Sequence, residues 1–211
     1  LGGNRSGKST GAMAEVIWTA LGSHTFREVE VPNKGWICGT DFPYGIGSVL
    51  VPKLKSLIPR DAVESIHRNQ QGVETVFRLK NGSSIEFKSY DQESEKFESA
   101  DIDRVYFDEP PSREIYIACM RGLVDRNGTS WFAMTPISEP WIYTDIYLKS
   151  FTDKTIECFK MTIYDNPHLS KEGLKAFEST VKGTEYERAR LYGEFLALQG
   201  RVFKLFDRKT H

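Results

Sequence analysis

Cysteine is scarce in this sequence, and long apolar runs are missing. The 211 residues contain three cysteines, Cys38, Cys119 and Cys158, which lie far apart and show no CxxC spacing. This spacing argues against a disulfide framework or a cysteine metal site and favours reduced thiols. No apolar stretch approaches the length of a membrane span, and the first residues do not resemble a signal peptide. We therefore predict a protein that does not act in a membrane.

A large excess of either charge is also missing. The formal net charge is −1, with 39% hydrophobic and 27% charged residues, which is an ordinary composition for a globular protein. A surface coated with basic residues is thereby excluded, so any contact with DNA would have to be local. The length suffices for one α/β core with a small appended subdomain, but not for two full enzymatic domains.

Apolar strand patterns alternate with amphipathic helical patterns along the chain. Apolar residues recur at helical spacing over residues 9–21, where Gly22 can end a helix. Alternating apolar residues on both sides of Asn81-Gly82 predict a β-hairpin. The other predicted elements are strands over 35–39, 105–107, 131–134 and 156–163, and helices over 46–58, 141–149 and 171–181, after Ser112, and after Thr184, with Glu187 completing a capping box.

This order of elements predicts an α/β fold with a mostly parallel central sheet flanked by helices. The pattern changes after Asp165-Asn166-Pro167 and becomes helical. We therefore expect a core over residues 1–164 and a small C-terminal helical linker subdomain over residues 165–211. The first strand of the core is expected upstream of residue 1, because only Leu1 precedes the glycine-rich loop.

The strongest motif is that loop, Gly2-Gly3-Asn4-Arg5-Ser6-Gly7-Lys8-Ser9, which fits G-x-x-x-x-G-K-[ST] in full. Glycines let the backbone curl so that successive N–H groups face one phosphate chain, and the following helix adds the positive end of its dipole. Lys8 can reach the β- and γ-phosphates of ATP, and the Ser9 hydroxyl can bind Mg²⁺. A chance glycine loop is disfavoured by the amphipathic helix that follows. Residues 2–10, Thr10 included, are the predicted nucleotide-binding loop.

Two carboxylates follow the apolar run Val105-Tyr106-Phe107. Ligands of open α/β sheets bind at the carboxyl ends of strands, so Asp108 is predicted to hold Mg²⁺ and Glu109 to act as general base. The alternative is a surface turn with solvated acids. The doubled carboxylate distinguishes the chain from small kinases and GTPases and predicts a P-loop NTPase of the ASCE type, which carries a catalytic glutamate.

A hydroxyl follows the next apolar run, at Thr135-Pro136. At the end of a neighbouring strand, Thr135 could sense the γ-phosphate or the position of Glu109. By itself, Thr-Pro is an ordinary turn that ends a strand. Its place after the other two motifs favours the functional interpretation.

These motifs occur in the same order as in the large terminase subunit of tailed bacteriophages, which the chain resembles over nearly its whole length. Several matching pieces are not general features of ATPases. They are Phe87-Lys88-Ser89-Tyr90-Asp91-Gln92, Glu95-Lys96-Phe97, Tyr106-Phe107-Asp108-Glu109-Pro110-Pro111, Met134-Thr135-Pro136, Asp165-Asn166-Pro167, Tyr192-Gly193-Glu194-Phe195 and Gly200-Arg201-Val202-Phe203.

The resemblance implies an ATP-driven motor that moves viral double-stranded DNA into a procapsid in the host cytoplasm. It implies a ring of copies on a portal protein, with a small terminase subunit as a further partner. Lys8 and Ser9 would match the Walker A pair, Asp108 and Glu109 the Walker B pair, and Thr135 the coupling motif. Arg5 would match a basic loop residue that contacts the γ-phosphate. The family usually continues into a nuclease domain beyond the residues seen here, so nuclease activity is not expected of this chain.

Two other functions remain open at this stage. A helicase-like ATPase has the same loop, Asp-Glu pair and strand-end threonine, but carries a second similar domain with an arginine-bearing motif. A nucleotide-binding assembly module could dock to a portal or a small terminase subunit without turnover. Glu109 counts against such a module, because a pure switch needs no general base.

Overall fold

The computed structural model describes residues 1–98 and 101–196, which divide into two compact units. The larger unit comprises Gly7–Met134, and the smaller one comprises residues 1–6 with the described residues from 135 onward. The predicted boundary between residues 164 and 165 stays a prediction. The predicted family piece at residues 200–203 lies outside the described residues.

The larger unit is built on one six-stranded sheet. Strands β4, β1, β5 and β6 run parallel, whereas β2, β3 and β4 are antiparallel neighbours. The order across the sheet is β2-β3-β4-β1-β5-β6, which confirms the predicted mostly parallel α/β sheet. The strands are β1 Lys34–Gly39, β2 Val63–Arg68, β3 Glu74–Leu79, β4 Ser84–Ser89, β5 Arg104–Asp108 and β6 Thr129–Ala133.

Local sequence signals begin and end the helices of this unit. The helices are α1 Lys8–Leu21, a π-helix Phe42–Leu50 that continues into α2 Val51–Leu57, the short α3 Glu95–Glu98, and α4 Arg113–Val124. Gly22 ends α1 in the left-handed conformation, at φ 68°. Ser112 caps α4 by accepting a hydrogen bond from the Ile115 N–H, as the sequence predicts.

Two apolar clusters lie on opposite faces of the sheet. Successive residues of a strand point to opposite faces, so Tyr106 joins one cluster while its neighbours Val105 and Phe107 join the other. The first cluster includes Met13 of α1, and the second includes Ile115 of α4. Because β5 is buried on both faces, its position is fixed from both sides.

The smaller unit is mainly helical. Its core is formed by Ile163, Val181 and Leu191. Its helices are α5 Pro140–Ile142 with a π-helix Tyr143–Tyr147 and a 3-10 turn Lys149–Phe151, a 3-10 turn Ile163–Asp165, α6 Lys171–Val181 and α7 Glu187–Tyr192. In the described residues of both units, no helix is long and apolar enough to cross a membrane.

Two predicted features of this unit are wrong. The expected strand over 156–163 is reduced to one parallel bridge between Gly2 and Met161, because among the described residues only residues 1–3 pair with it. The expected capping box at Thr184 does not form. Glu187 accepts a hydrogen bond from the Gly183 N–H instead, and Tyr186 is the N-cap of α7.

Strand β2 is absent from the sequence-based prediction. Among the described strands it lies at the edge of the sheet and pairs with β3 alone. Four of its six residues are exposed, and its register with β3 shifts twice. An edge strand with irregular pairing carries no regular apolar alternation, so periodicity alone could not find it.

We predict that Phe107→Ala lowers the free energy of unfolding by about 3–5 kcal/mol. Phe107 is fully buried and stacks on Phe132 with 4.8 Å between ring centroids, so its removal leaves a cavity. Urea unfolding measures the change. Val124→Ala, at a position 73% exposed, is the control and should change stability by less than about 0.5 kcal/mol. A similar loss in both variants would contradict the assigned core.

Candidate active site

The first part of the glycine-rich loop belongs to the smaller unit. The Gly3 N–H donates to the Met161 carbonyl at 3.0 Å, and the Asn4 N–H donates to the Arg190 carbonyl at 2.7 Å. A Cβ atom on Gly3 would lie 2.6 Å from the carbonyl oxygens of Arg190 and Leu191. Glycine is therefore required at this position, because any side chain would collide with backbone.

Asn166 holds the next residue of the loop. Its side-chain Nδ2 donates to the Arg5 carbonyl at 2.6 Å, while its Oδ1 accepts from the His168 N–H at 3.0 Å. Arg5 has φ 59°, a left-handed conformation that is uncommon for a residue with a side chain. The Arg5 side chain itself is exposed. The Asp165-Asn166-Pro167 piece thus fixes the loop backbone and leaves the guanidinium accessible.

Thr135 contacts the same part of the loop. It is 7% exposed, and its hydroxyl donates to the Asn4 Oδ1 atom at 3.4 Å. The smaller unit therefore brings the predicted coupling residue Thr135 together with Asn4. Its contact with a γ-phosphate stays a prediction.

The second part of the loop belongs to the larger unit and begins α1. Gly7 has φ 93° and precedes the first residue of the helix, where the described residues provide no side-chain cap. No acidic residue occurs in the first turn. A helix beginning without an acidic cap presents N–H groups and a positive dipole end, the arrangement that favours an anion.

A tyrosine links the two predicted metal ligands in the larger unit. The Tyr106 hydroxyl donates to Asp108 Oδ1 at 2.5 Å and is itself hydrogen-bonded to the Ser9 side chain. Tyr106 is fully buried, and burial together with the Asp108 charge raises the pKa of its phenol. One neutral phenol therefore contacts both the Ser9 hydroxyl and the Asp108 carboxylate.

Glu109 lies where β5 ends and has φ 62°, again left-handed. Its N–H donates to the Ala133 carbonyl at 3.1 Å, and its carbonyl accepts from the Tyr90 hydroxyl at 2.8 Å. The side chain is 41% exposed and lies 3.9 Å from the Lys8 Nζ atom. The larger unit thus brings together the predicted general base and the predicted phosphate-binding lysine.

Comparisons with known proteins identify the family of the chain. Residues 1–210 match the family described as terminase large subunit, T4likevirus-type, N-terminal. The chain belongs to this family of large terminase subunits. A comparison with curated protein sequences gives no match.

Solved structures of large terminases have the same fold. The chain is similar to the large terminase of a thermophilic bacteriophage, with TM-score 0.72 and 19% identity, over 100% of this chain and 51% of that one. A second structure, of that terminase in complex with ADP, gives TM-score 0.68 and 21% identity, over 100% of this chain and 50% of that one. This terminase chain therefore has the predicted P-loop fold and spans about half the length of those proteins.

The donors present fit a Mg²⁺ ion. Magnesium in such sites is held by one or two protein oxygens, by substrate phosphates and by water. Ser9 and Asp108 offer a hydroxyl and a carboxylate. Over residues 1–98 and 101–196, no group of three or more His, Cys, Asp or Glu side chains could hold a metal by itself.

Four residues that contact the predicted site residues have no role in the sequence-based prediction. In that prediction Tyr106 is part of an apolar strand. Tyr90 and Asn166 appear in it only within segments that resemble the terminase family. Lys53 of α2 donates from Nζ to the Thr10 hydroxyl at 3.2 Å. A tyrosine in a buried strand is a usable signal, because its hydroxyl requires a partner. The other three contacts depend on the tertiary fold.

Opposing effects set the ionisation of Lys8. Burial lowers the pKa of its ammonium group below the ordinary value, and the positive charge of Lys53 adds a smaller decrease. Glu109 and then Asp108 oppose the decrease, because their negative charges stabilise the protonated form. The carboxylates therefore help to keep the partly buried lysine charged.

We predict that Glu109→Gln lowers the pKa of Lys8 further and that Lys53→Met raises it. The first change removes a stabilising negative charge, and the second removes a repelling positive one. NMR titration of the lysine side-chain Cε resonances measures both shifts. Lys80→Met, at an exposed lysine, should leave the Lys8 pKa unchanged. An increase in the Glu109→Gln variant would contradict the proximity of the two groups.

Proposed function

We propose that the chain hydrolyses ATP and that this hydrolysis drives viral DNA packaging. The observation that carries the proposal is the grouping of Lys8, Ser9, Asp108 and Glu109 at the start of α1 and the end of β5, within one unit. In a terminase family member, such a group of one lysine, one hydroxyl and two carboxylates fits nucleoside triphosphate hydrolysis best.

ATP binding is assigned to the glycine-rich loop. Gly2, Gly3, Asn4, Arg5, Ser6 and Gly7 provide a backbone with two left-handed residues, Arg5 and Gly7, and such turns direct N–H groups toward an anion. Lys8 contributes the charge for the β- and γ-phosphates, and Thr10 completes the helix start. The complex of the thermophilic bacteriophage terminase with ADP, at 21% identity, supports a nucleotide as ligand.

Catalysis is assigned to Glu109. Its partly exposed carboxylate can accept the proton of a water molecule that attacks the γ-phosphorus, while the bond from that phosphorus to the β-γ bridging oxygen breaks and ADP leaves. Ser9 and Asp108 would hold Mg²⁺, which screens the charge of the phosphates. Lys8, 3.9 Å from the Glu109 carboxylate, stabilises charge on the transferred group. Arg5 would contribute a second positive charge from the loop.

Coupling is assigned to Thr135. Its hydroxyl donates to Asn4 in the loop, so a change in the loop at hydrolysis would reach the residues after β6. In the whole protein, the proposed output is translocation of double-stranded DNA into a procapsid in the host cytoplasm. The proposed partners are the portal protein, the small terminase subunit and further copies in a ring. Family membership supports these assignments.

Two alternatives differ from this proposal in measurable ways. A helicase-like ATPase would be stimulated by single-stranded rather than double-stranded DNA. A nucleotide-binding assembly module would bind ATP without turnover. The position of Glu109 near Lys8 favours a hydrolase over the assembly module.

We predict that Glu109→Gln lowers ATP hydrolysis by about 10²–10⁴-fold while Mg-ATP affinity stays nearly unchanged, because the amide cannot accept the proton of water. Phosphate release measures turnover, and equilibrium binding of a fluorescent ATP analogue measures affinity. Glu114→Gln, at an exposed position in the first turn of α4, is the control with unchanged turnover. If affinity collapses instead, Glu109 is a metal ligand and the two acids exchange roles.

We predict that Lys8→Ala lowers ATP hydrolysis by about 10²–10³-fold, the range for losing one electrostatic contact to a transition state. The ammonium group at the start of α1 lies 3.9 Å from the Glu109 carboxylate, so its loss removes positive charge next to the proposed general base. The same phosphate-release assay tests it, with Lys80→Ala as the matched control. Turnover near wild type in the Lys8 variant would refute the phosphate assignment.

A further inference from the structure

Tyr90 directs its hydroxyl toward the end of β5. It directly follows β4, and its ring packs against the apolar cluster that contains Phe107 and Cys38. The phenol oxygen lies 2.8 Å from the Glu109 carbonyl, 3.2 Å from that of Cys38 and 3.5 Å from that of Asp108. A phenol has one proton to donate, and the shortest of these distances identifies Glu109 as the main acceptor.

The acceptor belongs to a residue in an unfavourable backbone conformation. Glu109 has φ 62°, in the left-handed region that is unfavourable for a residue with a Cβ atom. Such a conformation persists only where surrounding contacts enforce it. Here the Glu109 N–H is bonded to Ala133 and its carbonyl to Tyr90, so one hydrogen bond restrains each side of the Cα atom.

The backbone conformation decides where the carboxylate points. The Cα–Cβ direction of Glu109 follows from its φ and ψ angles, so relaxation of this residue out of the left-handed region would turn the side chain away. The present conformation places the carboxylate 3.9 Å from Lys8. Misplacement of a catalytic group by about 1 Å can cost a factor of about 10² in rate.

We propose that Tyr90 is a positioning residue for the general base: its O–H holds the Glu109 carbonyl and thereby keeps the Glu109 carboxylate aimed at the reacting water. This inference rests on the proposed ATPase function. An ordinary phenol is protonated at neutral pH, so the Tyr90 hydroxyl remains a donor. If only the packing of the Tyr90 ring mattered, removal of the hydroxyl would leave activity unchanged.

The test compares two replacements of Tyr90 that keep the ring. Tyr90→Phe removes the donor, whereas 4-aminophenylalanine at position 90 retains an N–H donor at the same place. Tyr90→Phe should lower kcat by about 10- to 100-fold, with KM for ATP changed less than about twofold, and the amino analogue should restore most of kcat. Tyr164→Phe, which removes a hydroxyl bonded to Glu178 in the smaller unit, is the control with unchanged kcat.

A double-mutant cycle separates positioning from general damage. If Tyr90 acts through Glu109, then Tyr90→Phe should lower the residual rate of the Glu109→Gln variant by less than about twofold. Three results would each overturn the inference. The first is that the losses in kcat from Tyr90→Phe and Glu109→Gln multiply in the double variant, and the second is a wild-type kcat in Tyr90→Phe. The third is that the amino analogue fails to restore kcat although its thermal unfolding is unchanged. If Glu109→Gln loses activity while Tyr90→Phe keeps wild-type activity, only the role of Tyr90 is refuted and the proposed function stands. Full activity in Glu109→Gln refutes the assignment of Glu109 as general base. Absence of ATP turnover in the unmutated chain refutes the proposed function itself.

Discussion

The burial of β5 on both faces is the constraint on which the rest of the larger unit depends. Tyr106 packs into one apolar cluster and Phe107 into the other, and parallel pairing to β1 and β6 holds the strand along both edges. A strand fixed on four sides cannot shift, so Asp108 and Glu109 emerge at a defined place. Rigid placement is what a hydrolytic site requires, because misplaced groups lose most of their effect.

Charged side chains beside this core cost stability, and the site limits that cost because each charged group has a hydrogen-bond partner or a group of opposite charge nearby. The Asp108 carboxylate accepts a hydrogen bond from a buried phenol, and two carboxylates favour the charged form of the partly buried Lys8 against its desolvation. Glu109 adds backbone strain that two hydrogen bonds restrain. The strained backbone of Glu109 thus coincides with its proposed catalytic role, as expected where function competes with stability.

The sequence was sufficient for strands β1, β3, β4, β5 and β6 and for the helices α1 and α4, because those elements carry strong apolar periodicity or caps, as at Ser112. The place of Glu109 was also predictable, since its motif adjoins the carboxyl end of β5, where open α/β sheets bind ligands. The edge strand β2 and the lone bridge at Met161 were not, because each depends on which partner the fold brings alongside. The contact of Tyr90 was not predictable for the same reason, because its acceptor, the Glu109 carbonyl, lies nineteen residues away in sequence.

The most direct test of the account is amide hydrogen exchange of the chain with and without Mg²⁺ and a slowly hydrolysed ATP analogue. Ligand binding at the proposed site should slow exchange over residues 3–10 and 104–109, since those amides form the loop, the start of α1 and the carboxylate-bearing strand end. The β2–β3 hairpin should be unaffected. Protection confined to the hairpin, or saturating binding without protection of the loop, would contradict the account.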